Sequence, residues 1–439
     1  MDDKTLREIA KRYLFRQRIQ DDDLSLFNKP ILVEGKGTIV TDTNGKKYLD
    51  FNSGQMCATL GHNHPKIVKA LEESARTLIH SNTYLLHVFQ IEFISKMAEI
   101  LDPPLSKIYL SLSGSDSSEI AVEIAKRYTG GYEVLAFDAA FHGLSQGARS
   151  LTFHAGRKGY GPFLPGIFAI PTPYCYRCPA ELKAPDCDFM CLGWGFKNFD
   201  AQSAGAPAAF IAESILSSGG VIEVPPGYFP VLKKKCSERG ILFILDEAQT
   251  GLGKLGTMFG YQQIGVMPDI LTLSKHLGGG IPVSAIITSP EIEEKVAAKG
   301  FVSTRSHAAD PISCAAGTAS IEIILEEDMV AKAQHIGQYF KDLLWNLKEK
   351  SRIVGDVRGR GTLWGAEIVK DKKTKEPGNK EAERIVIGCL KKGLIIDFKG
   401  AYGNCNILRI VPPFCTTDEQ LERAAGILGS VIREVEASL

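Results

Sequence analysis

With 439 residues, 44% hydrophobic and 23% charged, the chain exceeds what one hydrophobic core usually supports and has the make-up of a globular protein with one large and one smaller domain. Its 51 basic and 51 acidic residues cancel to a formal net charge of zero without blocks of one sign, which argues against nucleic acid as a partner. No run of about 18 apolar residues occurs and the charged first residues lack a signal-like segment, so the reading is a cytoplasmic protein with no membrane contact and with reduced cysteines.

Residues 5–18 read as a polar helical arm that packs on a neighbouring subunit or domain. Residues 35–51 alternate and turn at Asn44-Gly45, the pattern of a short antiparallel hairpin. Residues 1–65 are therefore assigned to an arm and hairpin packing with the small domain. Across residues 66–327, short apolar runs at 108–112, 134–137, 208–212, 241–245, 270–273 and 283–288 alternate with helical segments such as 115–129 and 229–239. That alternation defines an α/β fold with a mostly parallel, doubly wound sheet covered on both faces. Residues 328–439 place helices at 330–350 and 418–437 around strands at 363–369 and 407–410, a smaller α/β domain.

Three segments follow strand ends, where open α/β sheets bind ligands. The turn Ser111-Leu112-Ser113-Gly114-Ser115 opens a helix, and its N–H groups and hydroxyls suit a phosphate or a plain helix cap. The run Leu245-Asp246-Glu247-Ala248-Gln249-Thr250-Gly251 ends a strand in carboxylates, placed to hold a pyridine nitrogen or to cap a helix. The run Leu273-Ser274-Lys275-His276-Leu277-Gly278 delivers a lysine into a glycine-rich turn, where a desolvated amine forms a Schiff base with an aldehyde. A surface lysine after a strand is the ordinary alternative.

The order of these segments, with Phe141-His142-Gly143 between the first two and Asp246 and Lys275 29 residues apart, resembles class III (subgroup II) aminotransferases of fold type I. Gly61-His62-Asn63-His64-Pro65 and the stretch from Gly355 to Gly361 add to the resemblance, which spans about residue 35 to the C-terminus. It implies pyridoxal 5′-phosphate as cofactor, with Lys275 as the residue that carries it and moves protons. It further implies Asp246 on the pyridine nitrogen, Gln249 on the ring hydroxyl, Gly114 and Ser115 on the phosphate, and Phe141 stacked on the ring with His142 beside it. Ser306 would reach the phosphate from a second subunit, so the resemblance implies a homodimer or a dimer of dimers, acting on small amino and keto acids.

Within that class the chain is most similar to the 2,2-dialkylglycine decarboxylases, through residues 50–56, 155–159, 216–220 and 409–413. This likeness implies a decarboxylating transaminase that takes 2,2-dialkyl amino acids and passes the amino group to a keto acid such as pyruvate. An ordinary class III aminotransferase or an amino-acid racemase is the alternative. Gln55 would hold the departing carboxylate, Arg409 a carboxylate in the ring plane, and Ser218 and Asp397 would border the substrate. Departures cluster here: Phe141 replaces a tryptophan, Leu144 a methionine, Asp397 an asparagine, and Ser214 follows Glu213 in place of proline. An anionic Asp397 is expected to repel a carboxylate and to favour an amine or a cationic group.

The same likeness implies an alkali-metal site (sodium or potassium) at Ser81, Thr83, Ser306, Ala308 and Asp310. Independently, Cys175, Cys178, Cys187 and Cys191 form C-x₂-C and C-x₃-C pairs, a spacing that suits a tetrahedral zinc site, free thiols or disulfides.

Overall fold

The computed structural model describes residues 1–15, 28–154 and 157–439. The first helix, Asp3–Tyr13, starts where the Asp2 carboxylate accepts from the Thr5 N–H at 2.8 Å and carries Lys11 and Arg12 in its last turn, matching the helix dipole at both ends. Residues 16–18 of the expected arm lie outside the described residues. Strands β1 (Leu32–Lys36), β2 (Ile39–Asp42) and β3 (Lys47–Asp50) make an antiparallel ribbon. Its Asn44-Gly45 turn is fixed by Asp42 Oδ1, which accepts from Asn44 N at 2.9 Å and Lys46 N at 3.0 Å.

The central sheet has seven strands, in the spatial order β4 (Lys107–Ser111), β12 (Ser284–Thr288), β11 (Ile270–Leu273), β10 (Leu242–Asp246), β7 (Pro207–Ala212), β5 (Glu133–Phe137) and β6 (Ile167–Ile170). The short strands β8 (Ile215–Leu216) and β9 (Ile222–Glu223) form a ribbon of their own. All pairings in the central sheet are parallel except those of β12, which runs against both neighbours. A strand covered on both faces must be apolar throughout, and every residue of β5 and β11 is buried. Helix Gly114–Thr129 lies across β7, β10, β11 and β12, burying Ile120, Ala121, Ile124 and Ala125. The sequence pattern missed β6, a four-residue edge strand closed by Pro171, and it carried no sign of the direction of β12, since an apolar run reads alike either way.

A second sheet, antiparallel, runs β13 (Val354–Arg360), β14 (Leu363–Ile368), β17 (Ile407–Ile410), β16 (Asp397–Lys399). Helices Met329–Lys350, Asn379–Lys391 and Asp418–Ala437 surround it, and β15 (Leu394–Ile395) pairs in parallel with β3, tying the N-terminal ribbon to this part. Two main cores result. One gathers the central sheet and its helices; the other joins Leu49 and Phe51 of the N-terminal segment to Phe340, Leu344, Ile385 and Ile432. A small cluster of Met56, Ile215, Val221, Leu255, Leu363 and Val411 is separate from both.

Candidate active site

The carboxyl ends of β4, β11, β10, β7 and β5 open on a cavity of about 360 Å³, lined among others by Gly114, Ser115, Phe141, His142, Asp246, Gln249 and Lys275. Five strand ends therefore converge on one place because the strands are parallel, and the residues that follow each end become neighbours. After β4, Ser113 caps helix Gly114–Thr129 by accepting from Asp116 N at 3.3 Å, which leaves the first N–H groups of the helix without intrahelical partners. Gly114 leaves little room beside it: a Cβ there would come within 2.9 Å of Ser274 Oγ, which would have to turn away. Gly143 is required, since its φ is +133° and a Cβ would meet Ser115 Oγ at 2.3 Å.

Of the lysines whose amines burial pushes down, Lys254 and Lys275 are the fully buried two, and their surroundings tell them apart. Lys254 is fully buried against the Phe414 ring, and burial pushes its amine well below the usual lysine range, but it does not line the cavity. Lys275 does line it, at φ +48° on the turn after β11. Its amine is pushed down by burial, partly offset by the Asp246 and Cys57 charges, and lowered further by Arg409. A depressed amine is a nucleophile and a base nearer neutrality than a free lysine.

Opposite it, Asp246 ends β10. Its Oδ2 lies 2.8 Å from His142 Nδ1, and its Oδ1 accepts from Ala248 N at 3.1 Å and from Thr272 Oγ1 at 3.2 Å. Three partners from three segments fix the carboxylate. Glu213, buried below Phe141, accepts from Phe141 N at 3.0 Å; burial pushes its carboxyl up to about 7, opposed by His142. Gln249 donates from Nε2 to Ser218 Oγ at 3.2 Å and accepts from Arg409 Nη1 at 3.3 Å. The motif that contains Arg358 supports this wall from behind: Arg358 donates to Gly220 O at 2.8 Å and pairs with Asp356 and Glu367, pinning the turn that carries Ser218.

Arg409 and Asp397 face each other as cross-strand partners on β17 and β16, 3.2 Å apart. Asp397 lies closer, at 2.6 Å, to Lys399, which sequence reasoning missed. In this geometry the Asp397 charge is shared between Arg409 and Lys399, a trio with a formal surplus of one positive charge, although burial and the Arg409 charge push the Lys399 amine down. Lys399→Met should therefore leave Asp397 to Arg409 alone and raise KM for carboxylate substrates about tenfold or more, with little change in kcat. Lys399→Arg should restore KM, and an amine donor without a carboxylate should be indifferent to both changes. Steady-state kinetics on the three enzymes checks this.

The remaining expected residues are dispersed. Gln55 is exposed and does not line the cavity, although Cys57 does. Ser306 and Thr83 are exposed, and neither lines the cavity of this chain. At the expected alkali-metal site, Asp310 Oδ1 lies 2.6 Å from His80 Nδ1 and Oδ2 lies 2.7 Å from His307 Nδ1. Cys175, Cys178, Cys187 and Cys191 are free thiols lining a separate cavity of about 600 Å³. Their sulfurs are not gathered: among the described residues, His80, His307 and Asp310 are the one group of three or more such ligand atoms within 4.8 Å of one another. Of the readings the cysteine spacing left open, the structure places four free thiols around one cavity, with sulfurs not all within 4.8 Å of one another. Ala155 and Gly156 lie outside the described residues; Arg157 beside them sits over Phe153 at 4.3 Å and Phe163 at 3.9 Å. No described helix is long and apolar enough to cross a membrane.

Pyridoxal phosphate fits what remains. Ser274 Oγ and His142 Nε2 are buried without hydrogen-bond partners while lining the cavity, beside open helix N–H groups for an anion, a fixed carboxylate for a ring cation and an amine for an aldehyde. Fold and site together define an enzyme of the aminotransferase type. The sequence model for class-III aminotransferases matches residues 26–432, and the chain belongs to that family. An uncharacterized aminotransferase of Schizosaccharomyces pombe is 40% identical over 92% of this chain and 91% of its own. A leucine/methionine racemase of Thermococcus litoralis is 35% identical over 98% and 96%. Among solved structures, a Bacillus anthracis aminotransferase superposes with a TM-score of 0.91 at 29% identity, over 98% of both chains.

Proposed function

We propose that this chain is a pyridoxal phosphate-dependent aminotransferase that moves an amino group between an α-amino acid and an α-keto acid, each with one carboxylate held by Arg409. The observation that supports it is the pairing, within one cavity, of the depressed Lys275 amine and the fixed Asp246 carboxylate, with the surplus positive charge of Arg409, Asp397 and Lys399 beside it. Bound there, pyridoxal phosphate supplies the electron sink that lets a bond to the substrate α-carbon break. Lys275 Nζ takes the α-proton and returns it. Asp246, oriented by His142 and Thr272, would hold positive charge at the ring nitrogen. The Gly114 and Ser115 N–H groups would hold the phosphate, Phe141 would cover the ring face, and Gln249 would meet the ring hydroxyl. Ser306 completes the phosphate contacts in a dimer.

A second reading, loss of carbon dioxide from a 2,2-dialkyl amino acid ahead of amino transfer to a keto acid such as pyruvate, is favoured by one feature. Ser53, Gly54, Gln55 and Met56 have φ of +47°, +54°, +58° and +66°, a left-handed turn ahead of Cys57 in the cavity wall. Such backbone costs roughly 1–2 kcal/mol per non-glycine residue and clusters at functional sites.

One experiment separates the readings: single-turnover reactions of alanine and 2-aminoisobutyrate, scored for keto acid, carbon dioxide and inverted alanine. Keto acid from alanine with no carbon dioxide from 2-aminoisobutyrate supports the first reading. Carbon dioxide release that Gln55→Ala slows selectively, on the scale of one hydrogen bond or about 1–3 kcal/mol, supports the second. Inversion of alanine without keto acid would overturn both in favour of a racemase.

A further inference from the structure

We propose that Arg358 and Gly365 form a docking slot that registers Arg409 against the cofactor cavity, which makes Arg358 a positioning residue for the substrate carboxylate; the inference rests on the reading that Arg409 holds that carboxylate. Arg358, Gly365, Arg409 and Asp397 are successive cross-strand partners on β13, β14, β17 and β16, so they form one transverse row of the second sheet. Directly opposed residues put their side chains on the same face. Gly365 therefore leaves a gap in that row between two arginines.

The gap is filled by the turn 217–221, which joins β8 to β9 and carries Ser218. A Cβ on Gly365 would meet Val221 Cβ at 2.9 Å. The turn is wedged on its other sides too. A Cβ on Gly219 would meet Ala139 O at 2.5 Å, on the segment that carries Phe141, and one on Gly220 would meet Ile407 Cδ1 at 2.3 Å, on the strand that carries Arg409. Val221 is fully buried at φ +52°, a left-handed conformation that a β-branched residue adopts only under constraint. Arg358 supplies the constraint. Its Nε donates to Gly220 O at 3.1 Å and to Val221 O at 3.0 Å, and its Nη2 donates to Gly220 O and to Tyr174 Oη, both at 2.8 Å. Its Nη1 is tied to Asp356 and to Glu367, each at 2.8 Å, so the fork is fixed within its own sheet.

The front of the turn reaches the site. Ser218 Oγ accepts from Gln249 Nε2 at 3.2 Å, and Gln249 Oε1 accepts from Arg409 Nη1 at 3.3 Å. Arg409 Nη2 goes to Asp397, while its Nε is buried without a partner, the donor left for an incoming carboxylate. A guanidinium recognises a carboxylate through a fixed fork, and this chain of contacts aims the fork of Arg409. With the turn out of the slot, Ser218 no longer holds Gln249, Gln249 no longer holds Nη1, and Arg409 falls back on Asp397. Arg358 does not line the cavity, so it acts on substrate only through the turn.

The test is calorimetric titration of cofactor-loaded enzyme with propanoate, a carboxylate with no amino group to transfer, beside the affinity for pyridoxal phosphate and the Tm of each variant. Gly365→Ala, which fills the slot and leaves Arg358 in place, should raise the Kd for propanoate at least about tenfold, with cofactor affinity within about threefold of wild type. Val221→Gly removes the colliding Cβ and relieves the positive φ, so Gly365→Ala/Val221→Gly should recover most of the loss. Arg358→Met should match Gly365→Ala; it also leaves Asp356 and Glu367 short of a partner, so where it does not fold the Gly365 variants decide. An unchanged propanoate Kd in Gly365→Ala or in folded Arg358→Met, no recovery in the double variant, or equal losses of propanoate and cofactor affinity would each overturn the slot. Wild type that binds no propanoate would overturn it together with the carboxylate role of Arg409, whereas wild-type binding that the variants leave untouched strikes the slot alone.

Discussion

Lys275→Ala should cut kcat by at least about 10⁴-fold, because one substitution removes both the covalent attachment point and the base that moves the α-proton. The loss should be chemical and not structural. Lys275 occupies a left-handed conformation whose steric cost falls equally on alanine, so the turn gains no new backbone strain. The cofactor should still bind, through the helix N-terminus at Gly114 and the carboxylate of Asp246, and its absorbance should still respond to added amino acid. A small primary amine supplied in solution should restore part of the activity. Borohydride reduction of the wild type followed by peptide mapping should place the label on Lys275; a label on any other lysine, such as the fully buried Lys254 or Lys399 beside Arg409, would reverse the assignment.

Asp246→Asn ranks second, with kcat expected to fall about 10²–10³-fold at saturating cofactor. The carboxylate is held by His142, Ala248 and Thr272, and an asparagine keeps the last two contacts through its carbonyl oxygen while removing the charge. The effect should therefore appear in kcat and in the pH dependence of the cofactor absorbance, with little change in substrate KM. Thr272→Val, which loosens the carboxylate without discharging it, should cost far less. Equal losses in the two variants would mean that position matters and charge does not.

Lys275, Asp246, Gly114, Ser115, His142 and Gln249 were picked out by resemblance, and they share one cavity because each lies at or a few residues past the carboxyl end of a strand, ends that a parallel sheet brings together. Arg409 was legible alone, but its partners were not. Asp397 and Lys399 reach it through the antiparallel register of β16 on β17, which places Asp397 opposite Arg409, and no local pattern announces that register. Asp310 was singled out by resemblance, whereas His80 meets it across two packed helices, a distance in sequence that periodicity cannot bridge. The cysteine spacing gave the opposite lesson. Four residues at ligand-like intervals share a cavity wall, but spacing along the chain does not set the directions in which the thiols point.

The pairing of β4 with β12 bears on how the enzyme is made. Ser111, beside the phosphate turn, pairs with Ser284, so the chain that carries one half of the cofactor pocket waits for about 170 further residues before its sheet neighbour exists. At about 5–20 residues per second, that is roughly 10–35 s on the ribosome. During that interval β4 is an unpaired edge and the pocket has no lysine. Pyridoxal phosphate therefore acts late, as a ligand that rewards completion of the sheet and pulls the assembled state forward by mass action. Yield of active enzyme in a producing cell should track cofactor supply during synthesis more closely than cofactor added afterwards.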